Sequence, residues 1–373
     1  MTGLHSIDEA IEAIGRGEMV IVVDDDDREN EGDLIMSASL ATPEQMAFMI
    51  RHCCGIVCAP ITGDSARRLR LDPMVSANDA PLGTAFTVSV DYRYGLTTGI
   101  SADERVSTVR SLANGNAGPE DFVRPGHIFP LIARDGGVLV RSGHTEAAVD
   151  LTRLAGLEPA AVICELVNDD GTVKRLPELT EFAREHGLKI VSIADLIEYR
   201  QRREHLVQKI SEVQTTTIGG PARAVVYQTP FDGIQHMALV LGDIGSGKDV
   251  LARIHREQPI SDLFGGSGRR SMELAMDRLG KEGRGVFVLL RDPLASQPPP
   301  STSGGGDDGH AGDEGHSSAQ KRLRQWREVG LGAQILRDLG IDSIRLLATH
   351  QRHYVGLSGF GIEISETVLL EGE

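Results

Sequence analysis

Apolar and polar positions change period several times along the chain, and the changes mark its elements. Ser6-Ile7-Asp8-Glu9 has the form of a capping box, and Ile7, Ala10, Ile11 and Ile14 then share one helical face until Gly15 and Gly17 interrupt it. Met19-Val20-Ile21-Val22-Val23 is a continuous apolar run, which predicts a buried strand. Thr42-Pro43-Glu44-Gln45 predicts a second helix running to about Cys53, with Pro43 suited to its first position. Segments 56–60, 86–90, 127–132, 137–140 and 160–167 read as further strands, and 145–155 and 177–186 as helices. Strands alternating with helices predict an α/β N-terminal domain, a mixed sheet flanked by helices.

The pattern changes near residue 204. Residues 194–210 form a charged helical connector, after which TTTIGGPARAVVYQTP and IQHMALVLGD are strand-like and predict a second, more β-rich α+β domain. We therefore divide the chain into 1–204 and 205–373. Residues 292–319 are Pro, Gly, Ser and Asp with almost nothing to bury, which predicts a disordered insert. A helix followed by a strand is expected over 329–350.

A length of 373 residues accommodates two or three domains. The net charge of -16 argues against nucleic-acid and anionic-membrane surfaces, so any phosphate should bind in a small local basic pocket. The first eighteen residues lack a basic n-region and an apolar h-region, and no apolar run approaches the roughly 18 residues of a membrane span, which predicts a cytoplasmic, soluble protein. Cys53, Cys54, Cys58 and Cys164 read as reduced thiols, since the C-C-x3-C cluster lacks a second ligand pair for a metal.

The acidic run Asp24 to Asp33, DDDDRENEGD, packs seven carboxylates into ten residues directly after the first strand. An EF-hand started at Asp25 would need Gly at residue 30 and Glu at residue 36, where the chain has Asn30 and Met36. What remains, Arg28 beside Glu29 and Asp33 after a Gly, suits a metal together with an anionic, hydroxyl-rich substrate, although a solvated acidic surface has the same composition. In RSGHTEAAVD, Arg141, Ser142, Gly143, His144 and Thr145 fall at a strand-to-helix turn, where backbone N–H groups, a hydroxyl and a guanidinium could receive a phosphate. Glu29 and His144 then offer a carboxylate and an imidazole to a divalent ion. His127 and Glu165, each at the border of an apolar strand, are either proton-transfer groups or hydrogen-bonded core residues. Gly242 to Lys248 fits G-x4-G-K, but Asp249 stands where a phosphate loop needs Ser or Thr and a strand follows, so a hairpin loop is expected. His310 and His316 lie in the polar insert and read as solvated.

DDDDRENEGDL, TTGISADERVST, RPGHIFPL, RSGHTEAAVDLTRLAGLEPAAVICEL and NDDGTVKR closely resemble the 3,4-dihydroxy-2-butanone 4-phosphate synthases over about residues 4–202. The resemblance implies conversion of D-ribulose 5-phosphate to that product and formate, in riboflavin biosynthesis. It implies Glu29 and His144 as ligands of magnesium, with manganese also compatible. Arg28, Glu29, Asp33 and Arg141 to Thr145 would bind the sugar phosphate, and His127 and Glu165 would be essential to catalysis. A homodimer is implied as well. Asp26 and Glu104 depart from the usual residues, outside the matched ligands.

The second half is similar to GTP cyclohydrolase II, with its chemistry missing. Gln258 occupies the place of the first zinc cysteine, GGSGRRSMELAM has no C-D-C, and no cysteine follows Cys164. Gln325 and Val329 also replace expected residues, while Arg327 matches the nucleophilic arginine. A catalytically silent domain holding no zinc is expected, with retained cyclohydrolase activity or a regulatory binding role as the alternatives.

Overall fold

The computed structural model describes residues 4–25, 28–53, 56–231, 233–265, 267–291, 330–349 and 361–370. The expected insert, 292–319, lies outside them, as do Asp26, Cys54, His310, His316, Gln325, Arg327 and Val329. Two compact units divide between Arg200 and Gln201.

In the first unit α1 (Ile7–Gly15) begins at a complete capping box, Ser6 accepting from the Glu9 N–H and Glu9 returning to Ser6. Thr42 and Gln45 do the same for α2 (Pro43–His52). Strands β1 (Val20–Val23), β2 (Gly32–Ser37), β3 (Cys58–Ile61), β4 (Val90–Tyr92), β5 (Phe122–Ile132), β6 (Ala161–Glu165) and β7 (Lys189–Ser192) form a mixed sheet in the order β4-β5-β3-β6-β2-β1-β7. It runs with helices α3 (Gly63–Arg68), α4 (Ala102–Ala113), α5 (His144–Leu154), α6 (Leu176–His186) and α7 (Ile193–Arg203). Every residue of β1 and β2 is buried, because both faces of the sheet are covered, and their sequences are correspondingly continuous rather than alternating.

Two expectations in this unit need correction. Residues 137–140 are not a strand: Gly137–Leu139 is a 3-10 turn, permitted by Gly136 and Gly137 at φ 89° and 62° and fastened by the Val138 N–H on the Asp150 carboxylate. Residues 86–90 do not pair as one strand; Phe86 and Thr87 make isolated bridges, and continuous pairing starts only at Val90. The acidic run also leads straight into β2, which lies antiparallel to β1 with Val22 opposite Asp33. Asp33 therefore belongs to a strand.

The second unit is more strand-rich. Strands β8 (Gln208–Thr217), β9 (Gly220–Gln228), β10 (Gln235–Leu241), β11 (Val250–Arg256), β12 (Gly285–Leu290), β13 (Ser343–Ala348) and β14 (Glu363–Leu369) are ordered β14-β13-β11-β12-β10-β9-β8, accompanied by α8 (Pro259–Leu263), α9 (Ser267–Glu282) and a helix at 330–338. The segment Gly242 to Lys248 joins β10 to β11, between which β12 intervenes, so it is a crossover connection and not a hairpin. Arg284 holds it there, donating to the carbonyls of Ile244 and Lys248 at 2.7 and 2.9 Å.

Candidate functional site

The acidic loop is folded around one of its own carboxylates. Asp24 Oδ2 accepts from the Glu29 N–H at 3.0 Å and from Arg28 Nη1 at 2.8 Å, while its Oδ1 accepts from the Glu31 N–H at 2.8 Å. Arg28 also pairs with the Glu29 carboxylate. Guanidinium and backbone N–H groups thus offset the crowding of like charges.

His144 opens α5, with Gly143 as its N-cap, and is 6% exposed. Its Nε2 donates to the Val22 carbonyl at 3.1 Å, which sets the tautomer and turns Nδ1 towards carboxylates. Glu29 Oε2 is 3.6 Å from Nδ1 and Asp33 Oδ1 is 3.8 Å from it. Burial would depress the imidazole, but Asp33 and Glu29 outweigh it and raise the group to about 9. Burial would raise Glu29, yet His144 and Arg28 hold it at about 2. Asp33 is shifted upward by burial, with Glu165 and Glu29 adding to the rise and His144 opposing it. Its Oδ1 is buried and has no hydrogen-bond partner among the described residues.

Asp24, Glu29 and His144 have ligand atoms within 4.8 Å of one another, and among the described residues this is the group able to hold a metal ion. The donor set fits a hard or borderline divalent cation: oxygens, one imidazole whose Nε2 is committed to Val22 and whose Nδ1 would give up its proton to a cation, and an oxygen beside it with no hydrogen-bond partner among the described residues. Asp24 is already committed to the loop, which leaves Glu29 and His144 as the freer donors.

The other expected residues surround this group to different degrees. Glu165 ends β6 directly opposite Asp33. Arg141 sits before α5 with its guanidinium on the Glu146 carboxylate at 2.6 Å, on Thr84 Oγ1 at 3.0 Å and on the Leu82 carbonyl at 3.2 Å. Ser142 and Gly143 complete the turn, and Thr145 is buried in the first turn of α5. Among the described residues no side chain caps the N-terminus of α5, and a helix start of this kind can offer its first N–H groups to an anion. His127 is on β5, which β3 separates from β6, and its hydrogen bonds run elsewhere.

Those bonds bring in a residue that sequence reasoning missed. Asp91, 3% exposed, takes the His127 N–H on Oδ1 at 2.8 Å and faces Nδ1 with Oδ2 at 2.7 Å. The pair leaves Nε2 as the outward nitrogen. Asp24 was inside the acidic run but nothing in its spacing distinguished it from its neighbours, and Glu146 was masked by the stronger pattern of the residues before it.

An α/β domain that gathers carboxylates, an imidazole and a helix N-terminus at its strand ends is a small-molecule enzyme domain. The sequence profile of 3,4-dihydroxy-2-butanone 4-phosphate synthase matches residues 8–199, and that of GTP cyclohydrolase II matches residues 208–369. The chain is 50% identical over 376 residues to the monofunctional riboflavin biosynthesis protein RIBA 2, chloroplastic, of Arabidopsis thaliana, covering 99% of this chain and 77% of that protein. It is 48% identical over 385 residues to the bifunctional riboflavin biosynthesis protein RIBA 1, chloroplastic, of the same plant, covering 97% and 68%. Among solved structures it is similar to RibBX, a two-domain 3,4-dihydroxy-2-butanone 4-phosphate synthase from A. baumannii, with a TM-score of 0.78 and 37% identity over 97% of this chain and 99% of that one. A single-domain 3,4-dihydroxy-2-butanone 4-phosphate synthase in complex with two magnesium ions matches 54% of this chain and 98% of its own, with 46% identity and a TM-score of 0.52.

The chain belongs to the 3,4-dihydroxy-2-butanone 4-phosphate synthase family, with a GTP cyclohydrolase II-like domain fused behind the synthase domain. It is a 3,4-dihydroxy-2-butanone 4-phosphate synthase, an enzyme of riboflavin biosynthesis. Among the described residues no helix is long and apolar enough to cross a membrane.

Proposed function

We propose that the first unit converts D-ribulose 5-phosphate to 3,4-dihydroxy-2-butanone 4-phosphate and formate with a divalent cation held by Glu29 and His144. The observation that carries this is the convergence of Glu29 Oε2 and Asp33 Oδ1 on His144 Nδ1, with Asp33 Oδ1 having no hydrogen-bond partner among the described residues. Magnesium is the cation favoured by the oxygen donors, and the imidazole also suits manganese. When bound, the cation stabilises oxyanions on adjacent substrate carbons and acidifies the neighbouring C–H.

The chain's own groups supply the rest. Arg28 and Asp33 bind and orient the sugar hydroxyls. Arg141 to Thr145, at the open N-terminus of α5, hold the phosphate that does not react. His127, braced by Asp91, and Glu165, beside Asp33, exchange protons with the substrate at successive steps. A homodimer in the cytoplasm is part of this reading, and no nucleic acid or membrane partner belongs to it.

The second unit is read as catalytically silent, holding no zinc. The chain has no cysteine after Cys164. At the position expected for the first zinc cysteine, Gln258 caps α8, and its N–H is bound to Asp262 Oδ2 at 2.7 Å. The same carboxylate pairs with the buried His255 at 3.0 Å, so the local polar groups serve one another. The monofunctional name of one relative and the two-domain synthase description of the A. baumannii protein favour this reading, and the bifunctional relative favours its alternative.

Purified full-length protein incubated separately with ribulose 5-phosphate and with GTP, each with magnesium and zinc, tests both parts. Formate and a four-carbon phosphate from the sugar, with GTP intact and Glu29→Ala inactive, is the expected NMR result. Formate from GTP would overturn the reading of the second unit, and undiminished turnover by Glu29→Ala that of the first.

A further inference from the structure

The motif NDDGTVKR carries the resemblance but has no role in the chemistry above. Its fold is a rigid turn rising from the end of β6. Val167 and Val173 bridge, the Asn168 N–H reaches the Thr172 carbonyl at 2.7 Å, and Gly171 takes the left-handed conformation at φ 85°. Asp170 Oδ1 receives both the N–H and hydroxyl of Thr172, and Lys174 Nζ donates to Asn168 Oδ1 at 2.8 Å.

This turn delivers Arg175 as the N-cap of α6. The Arg175 N–H is held by Glu178 Oε2 at 2.8 Å, and Glu178 Oε1 accepts from the Asn168 amide at 3.2 Å. Arg175 Nη1 then donates to two consecutive carbonyls of the acidic loop, those of Glu29 at 2.7 Å and Asn30 at 2.5 Å. Asn30 takes the left-handed conformation at φ 53°, which asparagine tolerates better than most residues, so a turn is favoured here and its contacts decide where it sits. The approach of helix and loop is close: a Cβ on Gly32 would lie 2.5 Å from Leu179 Cδ1. Asp24 gathers the loop from inside, and Arg175 fixes it from outside.

We propose that Arg175 is a positioning residue for the synthase reaction, holding the Glu29–Asn30 backbone so that the Glu29 carboxylate faces His144 Nδ1 and binds the divalent cation tightly. This rests on the reading of Glu29 and His144 as the cation's ligands. The guanidinium acts on the ligand's backbone, and so it sets how well the site is formed rather than taking part in proton transfer. A carboxylate on a turn held from outside by two hydrogen bonds loses its aim if those bonds are lost and the turn shifts.

The test compares full-length wild type, Arg175→Ala, Arg175→Lys and Glu29→Gln. Mn2+ affinity is measured without substrate from the electron paramagnetic resonance signal of the free ion, alongside the metal-free thermal midpoint and the Mg2+ dependence of formate release. Arg175→Ala is expected to weaken Mn2+ binding by roughly 10-fold or more, the scale seen for residues that orient metal ligands. Half-maximal activity then needs proportionately more Mg2+, turnover recovers at saturating metal, and the metal-free midpoint is unchanged. Arg175→Lys, which keeps the charge but not the planar fork, falls between the two and carries the test should the alanine variant fail to fold.

Unchanged Mn2+ affinity in both Arg175 variants, with Glu29→Gln weakened, overturns the proposal alone. A lower metal-free midpoint without a metal effect also overturns it, leaving Arg175 only as a helix cap. Unchanged affinity in Glu29→Gln removes the cation-site reading and this inference with it.

Discussion

A buried imidazole with one nitrogen on a backbone carbonyl and the other facing two carboxylates has its tautomer chosen for it, as at His144. His127 shows the same principle with a different partner. Its Nδ1 is engaged by Asp91, which under the proposed function leaves Nε2 for proton exchange, and the Asp91 bond to the His127 N–H fixes the backbone at the same point. Asp91→Asn keeps the size of the side chain but removes the anion. Turnover should fall by about 10²-fold, at the low end of the range for general acid–base groups, with the KM for ribulose 5-phosphate little changed. Steady-state kinetics on the variant check this, and unaltered turnover would remove His127 from proton transfer. Glu29, Asp33 and His144 were legible because their neighbours form dense, unusual patterns. Asp91 was not, because 36 residues separate it from His127 and only the pairing of β4 with β5 joins them.

At the scale of elements, close backbone approaches decide where such side chains land. Gly126 lies where β5 passes β4, and a Cβ there would be 2.0 Å from the Val90 carbonyl carbon, a contact with rigid backbone on both sides. Gly126→Ala should therefore separate the strands and displace His127, costing on the order of 2–4 kcal/mol and most of the activity; urea denaturation and formate release measure the two losses. A second element contact is ionic. The buried Asp150 of α5 accepts from the Val138 N–H at 2.8 Å and from Arg200 of α7 at 2.7 Å, and burial still raises its carboxyl. Removing the cation alone leaves that charge in the core, so Arg200→Met should destabilise the first unit by roughly 3–5 kcal/mol, read from its unfolding midpoint. Capped helices and continuous apolar strands were readable in advance because their signals are local. The turn at Gly137–Leu139 was misread because a short apolar run of three buried residues and a half-buried Val140 looks the same in a strand or a 3-10 turn, and the deciding bond to Asp150 comes from 12 residues away. The β10 to β11 connection was misread for a related reason: sequence does not say that β12 enters between them.

For the molecule as a whole, two units with separate sheets respond to acid through separate buried groups, whatever the sign of the net charge. In the second unit His236 of β10 is 2% exposed, accepts the Arg291 N–H on Nδ1 at 3.2 Å, and has a buried Nε2 with no partner among the described residues. Burial, with the Arg291 charge adding to it, lowers its pKa from 6.5 to about 4. The folded state thus excludes a proton that the unfolded chain accepts once the pH falls below 6.5. Stability from the neutral ring is fully present above that value, is lost progressively as pH falls, and stops changing below about 4. A shift of this size corresponds to about 3 kcal/mol between the two limits. Native-state hydrogen exchange of the β9 and β10 amides, followed from pH 7 to 4.5 and corrected for intrinsic exchange, should show their protection falling with pH. His236→Asn keeps an acceptor for the Arg291 N–H and removes the titration, so its protection should fall less steeply. Equal slopes in the two proteins would mean that His236 takes up its proton without unfolding the strand that holds it.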